Sequence, residues 1–180
     1  MNIPNSLSII RIICIPLVMI AFYAEIQNGR LIAAGIFLFA SVTDWLDGYL
    51  ARRWNQTSAF GAFIDPVADK LMVGAVLVML VQAYPALWMV IPAAVIICRE
   101  IFVSALREWM AGIGARASVA VGQLGKLKTA TQMAAMVLLL GAGAEMVVQI
   151  GVVLLDIAAI LALISMGQYL RAAWPALRSA

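Results

Sequence analysis

The feature that most constrains this chain is a succession of six long apolar runs, at about 7–24, 31–50, 61–82, 86–108, 129–147 and 150–170, with only brief polar stretches between them. Each run approaches the ~20 residues with which an α-helix crosses ~30 Å of hydrocarbon. None shows the period-two alternation of a membrane β-strand. The expected fold class is therefore all-α integral membrane, six transmembrane helices in a single domain over residues 1–180. Composition agrees, since 65% of the residues are hydrophobic and 12% charged, against ~45–50% and ~25% in soluble domains. A water-facing globule and a disordered chain are both excluded. With loops this short, any chemistry has to be built from helix ends.

Local signals refine the map. Residues 1–24 lack the basic leader and clear cleavage site of a signal peptide and read as the first span. Asn5 or Ser6, after Pro4, reads as its cap, and Gln27-Asn28-Gly29 as the turn that follows. Cys14 and Cys98 sit inside apolar runs without CxxC spacing and read as packing residues.

Charge sets the expected orientation. With the N-terminus inside, the outer loops lie near 25–30, 83–85 and 147–150, and of twelve Lys and Arg Arg30 alone falls there. Arg11, Arg52, Arg53, Lys70, Arg99, Arg107, Arg116, Lys126, Lys128, Arg171 and Arg178 lie at or near the inner side. That asymmetry predicts N-in/C-in with the active site at the cytoplasmic side. The net charge of +3 thus reflects topology and contact with membrane lipids, and no nucleic acid is expected as a partner. Arg11, Arg53 and Arg178 read as interfacial anchors, and Trp45, Trp54, Trp88, Trp109 and Trp174, near span ends, as belt residues.

Four carboxylates break the apolar pattern. Asp44 and Asp47 are three apart and Asp65 and Asp69 four apart, so each pair occupies one helix face. The pairs flank the short connection 52–60, which lets them converge from two adjoining helices. An Asp in the bilayer centre costs ~2.5–3.5 kcal/mol, and like charges add repulsion, so compensation is required. Arg52 neutralises one charge at most. Two divalent cations balance all four, and an all-oxygen donor set in a chain without His favours Mg²⁺ or Mn²⁺ over zinc. Such a two-metal site is a natural clamp for a pyrophosphate. Gly48, beside Asp47, and Gly61, four before Asp65, leave room for a ligand or a facing helix.

These residues carry a specific resemblance. Asp44, Asp47, Gly48, Ala51, Arg52, Gly61, Asp65 and Asp69 match every fixed position of D-x2-D-G-x2-A-R-x8-G-x3-D-x3-D, the signature of the CDP-alcohol phosphotransferase family. The six-span, N-in topology is also that family's. The resemblance implies that Asp44 and Asp65 bridge both metals, that Asp47 completes the first site, and that Asp69 binds the second and is the general base. It further implies that Gly48, Arg52, Ser58 and Asn5 hold the CDP group of CDP-diacylglycerol. The wider stretches NIPNSLSIIRI, CREIFVSALREWMA and GKLKTATQM resemble members that use sn-glycerol 3-phosphate, and so imply attack by its 1-hydroxyl on the β-phosphorus with release of CMP. The same resemblance implies a bacterial inner membrane and a homodimer.

A phosphorylated acceptor needs cations on the same side. Arg99, Arg107, Arg116, Lys126 and Lys128 crowd the inner ends of the fourth and fifth spans. Arg107, Lys126 and Lys128 are the candidates for glycerol-phosphate binding, Arg99 is a candidate partner of Glu100 or Asp65, and Glu108 of a neighbouring Arg. Asp156 stands without a spaced partner and suggests a helix-packing hydrogen bond. Two alternatives remain at this point: another acceptor, inositol phosphate or phosphatidylglycerol, and a divalent-cation transporter. A transporter wants midplane carboxylates on broken helices, whereas these lie toward one face beside an Arg suited to phosphate.

Overall fold

Among the described residues six helices follow one another: α1 (Ile3–Tyr23), α2 (Gly29–Trp54), α3 (Ala59–Ala83), α4 (Leu87–Gly112), α5 (Gln123–Gly141) and α6 (Glu145–Ser179). The structure, a computed structural model, describes the backbone of residues 3–54, 59–114 and 123–179 and the side chains of 8–43, 60–61, 63–114 and 124–178. Leu87–Gly112 and Glu145–Arg178 are each long and apolar enough to cross a membrane. At 35 residues, α6 is about 52 Å long, well beyond a ~30 Å hydrocarbon core.

Short connections impose alternating helix directions. Asn28 takes a left-handed φ of 64°, a conformation that Asn tolerates, and Gly29 then opens α2 so close to α1 that a Cβ there would lie 2.6 Å from the Ala21 carbonyl oxygen. The predicted turn is therefore present. Side-chain bonds fix the register: Ser8 meets Asp65, Arg11 meets Asp69 and Tyr23 meets Gln82, so α1 and α3 run parallel. Arg99 donates to Ser165 and Arg107 to Tyr169, so α4 and α6 are parallel too. Arg30 reaches the Ala142 carbonyl while Ser41 reaches Met133, which sets α2 antiparallel to α5.

The core and the surface are both apolar. Phe37, Leu77, Leu80, Met89, Ile96, Met136, Leu139 and Leu155 are fully buried between the helices. Ile20, Val78, Leu87, Ile101 and Ile160 are more than half exposed, and outward apolar faces on helix after helix are what lipid, not water, would solvate. The polar side chains are sorted to the bundle ends. Arg30 lies at one, over the rings of Phe22 and Tyr84 at 5.1 and 5.4 Å. Ser8, Arg11, Asp65, Asp69, Arg99, Glu100, Arg107 and Lys128 gather toward the other.

Several expectations need correction. The fifth run, 129–147, is not one helix: α5 ends at Gly141 and α6 begins at Glu145. The break at Ala142-Gly143-Ala144 is apolar, so hydropathy read through it. The first helix already includes Ile3, upstream of the proposed Asn5 or Ser6 cap. Cys14 is buried, but Cys98 is exposed on α4, because an apolar run does not distinguish core from lipid-facing positions. Asp156 is exposed and makes no hydrogen bond among the described residues, so the packing bond expected of it is absent.

Candidate active site

The site grows from α1 and α3. Ser8 and Arg11, three apart, share a face of α1, and Asp65 and Asp69, four apart, share a face of α3; the parallel packing of the two helices aligns these faces. Arg11 Nη1 donates to Asp69 Oδ1 at 2.7 Å, Nη2 lies 3.6 Å from Asp65 Oδ1, and the Ser8 hydroxyl donates to that same Asp65 oxygen. Arg11 is 2% exposed, whereas Asp65 and Asp69 are 40% and 44% exposed. Both carboxylates are partly exposed and Asp69 lines a cavity, whereas the guanidinium that touches them is enclosed. Arg11 is thus a buried partner of the acidic pair and not the interfacial anchor that its position in an apolar run suggested.

Two carboxylates turned toward one cation constitute a donor arrangement that fits a hard divalent ion. Both supply oxygen alone, the chemistry Mg²⁺ or Mn²⁺ takes. Among the described residues no group of three metal-ligating side chains converges. Asp44 and Asp47, the other half of the predicted set, have side chains outside the described residues. The same is true of Asn5 and Arg52; at Gly48 the backbone alone is described, and Ser58 lies outside the described residues altogether. The backbone carrying residues 44–52 is helical, continuous with α2.

Beside Asp69 opens a cavity of about 210 Å³, lined among others by Lys70, Arg99, Glu100, Arg107, Lys128 and Tyr169. Among the described residues its wall holds four cationic side chains against the carboxylates of Asp69 and Glu100, a surplus of two positive charges. A phosphomonoester carries about −1.5 to −2 at neutral pH, so the surplus matches it. The cations are held in place by their neighbours. Glu100 pairs with Arg99 at 3.1 Å and with Lys128, and Arg99 Nη2 donates to Ser165 at 2.7 Å. The Tyr169 ring lies 4.8 Å from the Arg107 guanidinium and 5.7 Å from that of Arg99, and its hydroxyl accepts from Arg107. Charges fixed this way need little reorganisation when an anion enters.

The structure thus brings Asp65, Asp69, Arg107 and Lys128 to one end of the bundle. Lys126 is not among them: it is exposed and absent from the cavity wall, whereas Lys128 is buried. A spacing of two places the residues on different faces of α5, so only one can turn inward. Arg99 does pair with Glu100, one of the two partners considered; Glu108 makes no ion pair among the described residues. Arg11, Ser8, Gln132, Ser165 and Tyr169 were not anticipated. The three-residue spacing of Ser8 and Arg11 was a usable signal, while Ser165 and Tyr169 join the site only through the packing of α6 on α4.

The chain belongs to the CDP-alcohol phosphatidyltransferase family, whose pattern it matches over residues 1–174. Its relatives narrow the class. A Pectobacterium atrosepticum protein named CDP-diacylglycerol–glycerol-3-phosphate 3-phosphatidyltransferase is 54% identical over 172 residues, covering 96% of this chain and 94% of the relative. Proteins of the same name from Sodalis glossinidius and Yersinia pestis are each 51% identical, over 173 and 174 residues, with at least 95% of each relative covered.

Proposed function

We propose that this protein transfers the phosphatidyl group of CDP-diacylglycerol to sn-glycerol 3-phosphate, giving phosphatidylglycerophosphate and CMP. The observation that carries the reading is identity above one half, over nearly the whole chain, to proteins named for that reaction. It is proposed to act as a single six-span domain, N-in/C-in, in a bacterial inner membrane and as a homodimer. The separation of Arg30 from the described site cations, at opposite ends of the bundle, supports that orientation.

Asp44, Asp47, Asp65 and Asp69 are the residues that would hold two divalent ions, Mg²⁺ or Mn²⁺. Bound there, the ions supply charge neutralisation for the pyrophosphate and for CMP as it departs. Asn5, Gly48, Arg52 and Ser58 hold the CDP group, and the acyl chains stay in the bilayer beside the helices. Glycerol 3-phosphate enters the cavity with its phosphate against Arg107 and Lys128, supported by Lys70 and Arg99. Lys126, outside the cavity wall, is left a role in attracting the anion at the entrance. Asp69, in that wall, takes the proton of the 1-hydroxyl while Arg11 keeps its carboxylate oriented. The attacking oxygen forms its bond to the β-phosphorus as the bond to CMP breaks.

The test is CMP release from protein in membranes supplied with CDP-diacylglycerol, Mg²⁺ and, separately, glycerol 3-phosphate, inositol phosphate, phosphatidylglycerol or serine. Release with glycerol 3-phosphate well above the others is the expected result. Release with another alcohol and none with glycerol 3-phosphate would overturn the acceptor while leaving the family reaction standing.

A further inference from the structure

Gln132 is 2% exposed, yet its side-chain carbonyl oxygen Oε1 is buried without a hydrogen-bond partner among the described residues. Among the described residues its amide nitrogen has nothing better than the Met136 sulfur at 4.0 Å. A buried polar atom left in this state costs stability, so it calls for a reason. Gln132 also stands in the wall of the cavity that Asp69, Arg107 and Lys128 line. It lies four residues, one helical turn, from Lys128 on α5, and so on the same face.

From this we infer that Gln132 is a specificity-determining residue: its Oε1 accepts a hydrogen bond from the secondary hydroxyl of the acceptor, on carbon 2. The inference rests on the acceptor proposed above and adds what that reading leaves open. In glycerol 3-phosphate the phosphate goes to the cations and the 1-hydroxyl to Asp69, which leaves the 2-hydroxyl between them. It is a donor that needs an acceptor. Among the described charged wall residues, Lys70, Arg99, Arg107 and Lys128 are donors, Asp69 is assigned to the reacting hydroxyl, and Glu100 is held through Oε1 by both Arg99 and Lys128 as their counter-charge. Gln132 supplies an acceptor that is buried and unpartnered among the described residues, where a substrate lacking the hydroxyl would leave the oxygen unpaired. Sites of this kind reject the analogue without the hydroxyl far better than an apolar pocket rejects an extra one.

The experiment compares sn-glycerol 3-phosphate with 3-hydroxypropyl phosphate, which keeps the phosphate and the reacting hydroxyl and lacks only the one on carbon 2. Both are assayed as acceptors with the full chain in membranes, as kcat/KM, on wild type and Gln132→Met. The wild type is expected to favour glycerol 3-phosphate by about 10- to 100-fold. In Gln132→Met that preference should collapse to within about threefold, through loss with glycerol 3-phosphate and not through loss with the analogue. Because both substrates are measured on one preparation, the ratio does not depend on the fraction of variant that folds. A wild type that uses the two within twofold, or a variant that keeps the wild-type ratio, would overturn the inference. A wild type inactive with glycerol 3-phosphate but active with another alcohol would instead overturn the proposed acceptor.

Discussion

Replacing Arg11 by Met removes the one described cation that touches both Asp65 and Asp69. The variant keeps the length and the apolar stem, so the packing of α1 against α3 is largely preserved. What is lost is a charge-assisted hydrogen bond at 2.7 Å to Asp69 and a contact at 3.6 Å to Asp65. Bonds of the first kind contribute ~1.5–3 kcal/mol, but these carboxylates are more than a third exposed and regain hydration, which reduces the figure to about 1–2 kcal/mol. At 1.4 kcal/mol per factor of ten, misplacement of the Asp69 carboxylate corresponds to a fall of about 5- to 30-fold in kcat. The drop should appear in kcat more than in the KM for glycerol 3-phosphate, because Arg11 does not line the acceptor cavity. Arg11→Lys, which retains the charge and loses the fork, should fall between the two. The assay is initial-rate CMP release in proteoliposomes at saturating CDP-diacylglycerol and Mg²⁺. A kcat for Arg11→Met within twofold of wild type would refute the claim that Arg11 orients the base.

Three further predictions follow from single contacts. Tyr169→Phe keeps the ring under Arg107 and deletes the hydroxyl that Arg107 donates to; since Arg107 is exposed, a loss of about 1 kcal/mol is expected, read as a ~5-fold rise in the KM for glycerol 3-phosphate with kcat little changed. Lys128→Met should raise the same KM by at least ~10-fold while Lys126→Met changes it by less than about twofold, and equal effects would contradict the helix phase observed for α5. Gly29→Ala forces a methyl to 2.6 Å from the Ala21 carbonyl oxygen, so a cost of ~1–3 kcal/mol should lower the melting temperature in detergent by ~2–10 °C; an unchanged midpoint would mean that the α1–α2 turn yields without strain.

What the sequence made legible was whatever local spacing determines. The four-residue step from Asp65 to Asp69 put both carboxylates on one face, and they converge in the fold. Arg107 and Lys128 were found as scarce charges in an apolar chain, and they line one cavity. Lys126 lies off that cavity wall, and charge alone carries no helix phase. Arg11 was misread because an Arg in an apolar run looks alike whether it snorkels to an interface or turns inward, and only the partner helix decides. Tyr169 and Gln132 were illegible for a related reason. Neither carries a charge, and each acquires a role through residues far away in sequence, Tyr169 through Arg107 and Gln132 through the cavity shared with Asp69. The end of α5 was missed because an apolar break gives hydropathy nothing to detect.

In the proposed transfer the 1-hydroxyl oxygen of glycerol 3-phosphate becomes bonded to the phosphorus that leaves CMP. Its most direct test supplies the reconstituted protein with CDP-diacylglycerol, Mg²⁺ and glycerol 3-phosphate labelled with ¹⁸O at the 1-hydroxyl, followed by mass spectrometry of both products. The expected result is phosphatidylglycerophosphate carrying the label and CMP free of it, with neither product formed by Asp69→Asn. Label in CMP, or a labelled lipid formed at the wild-type rate by Asp69→Asn, would contradict it.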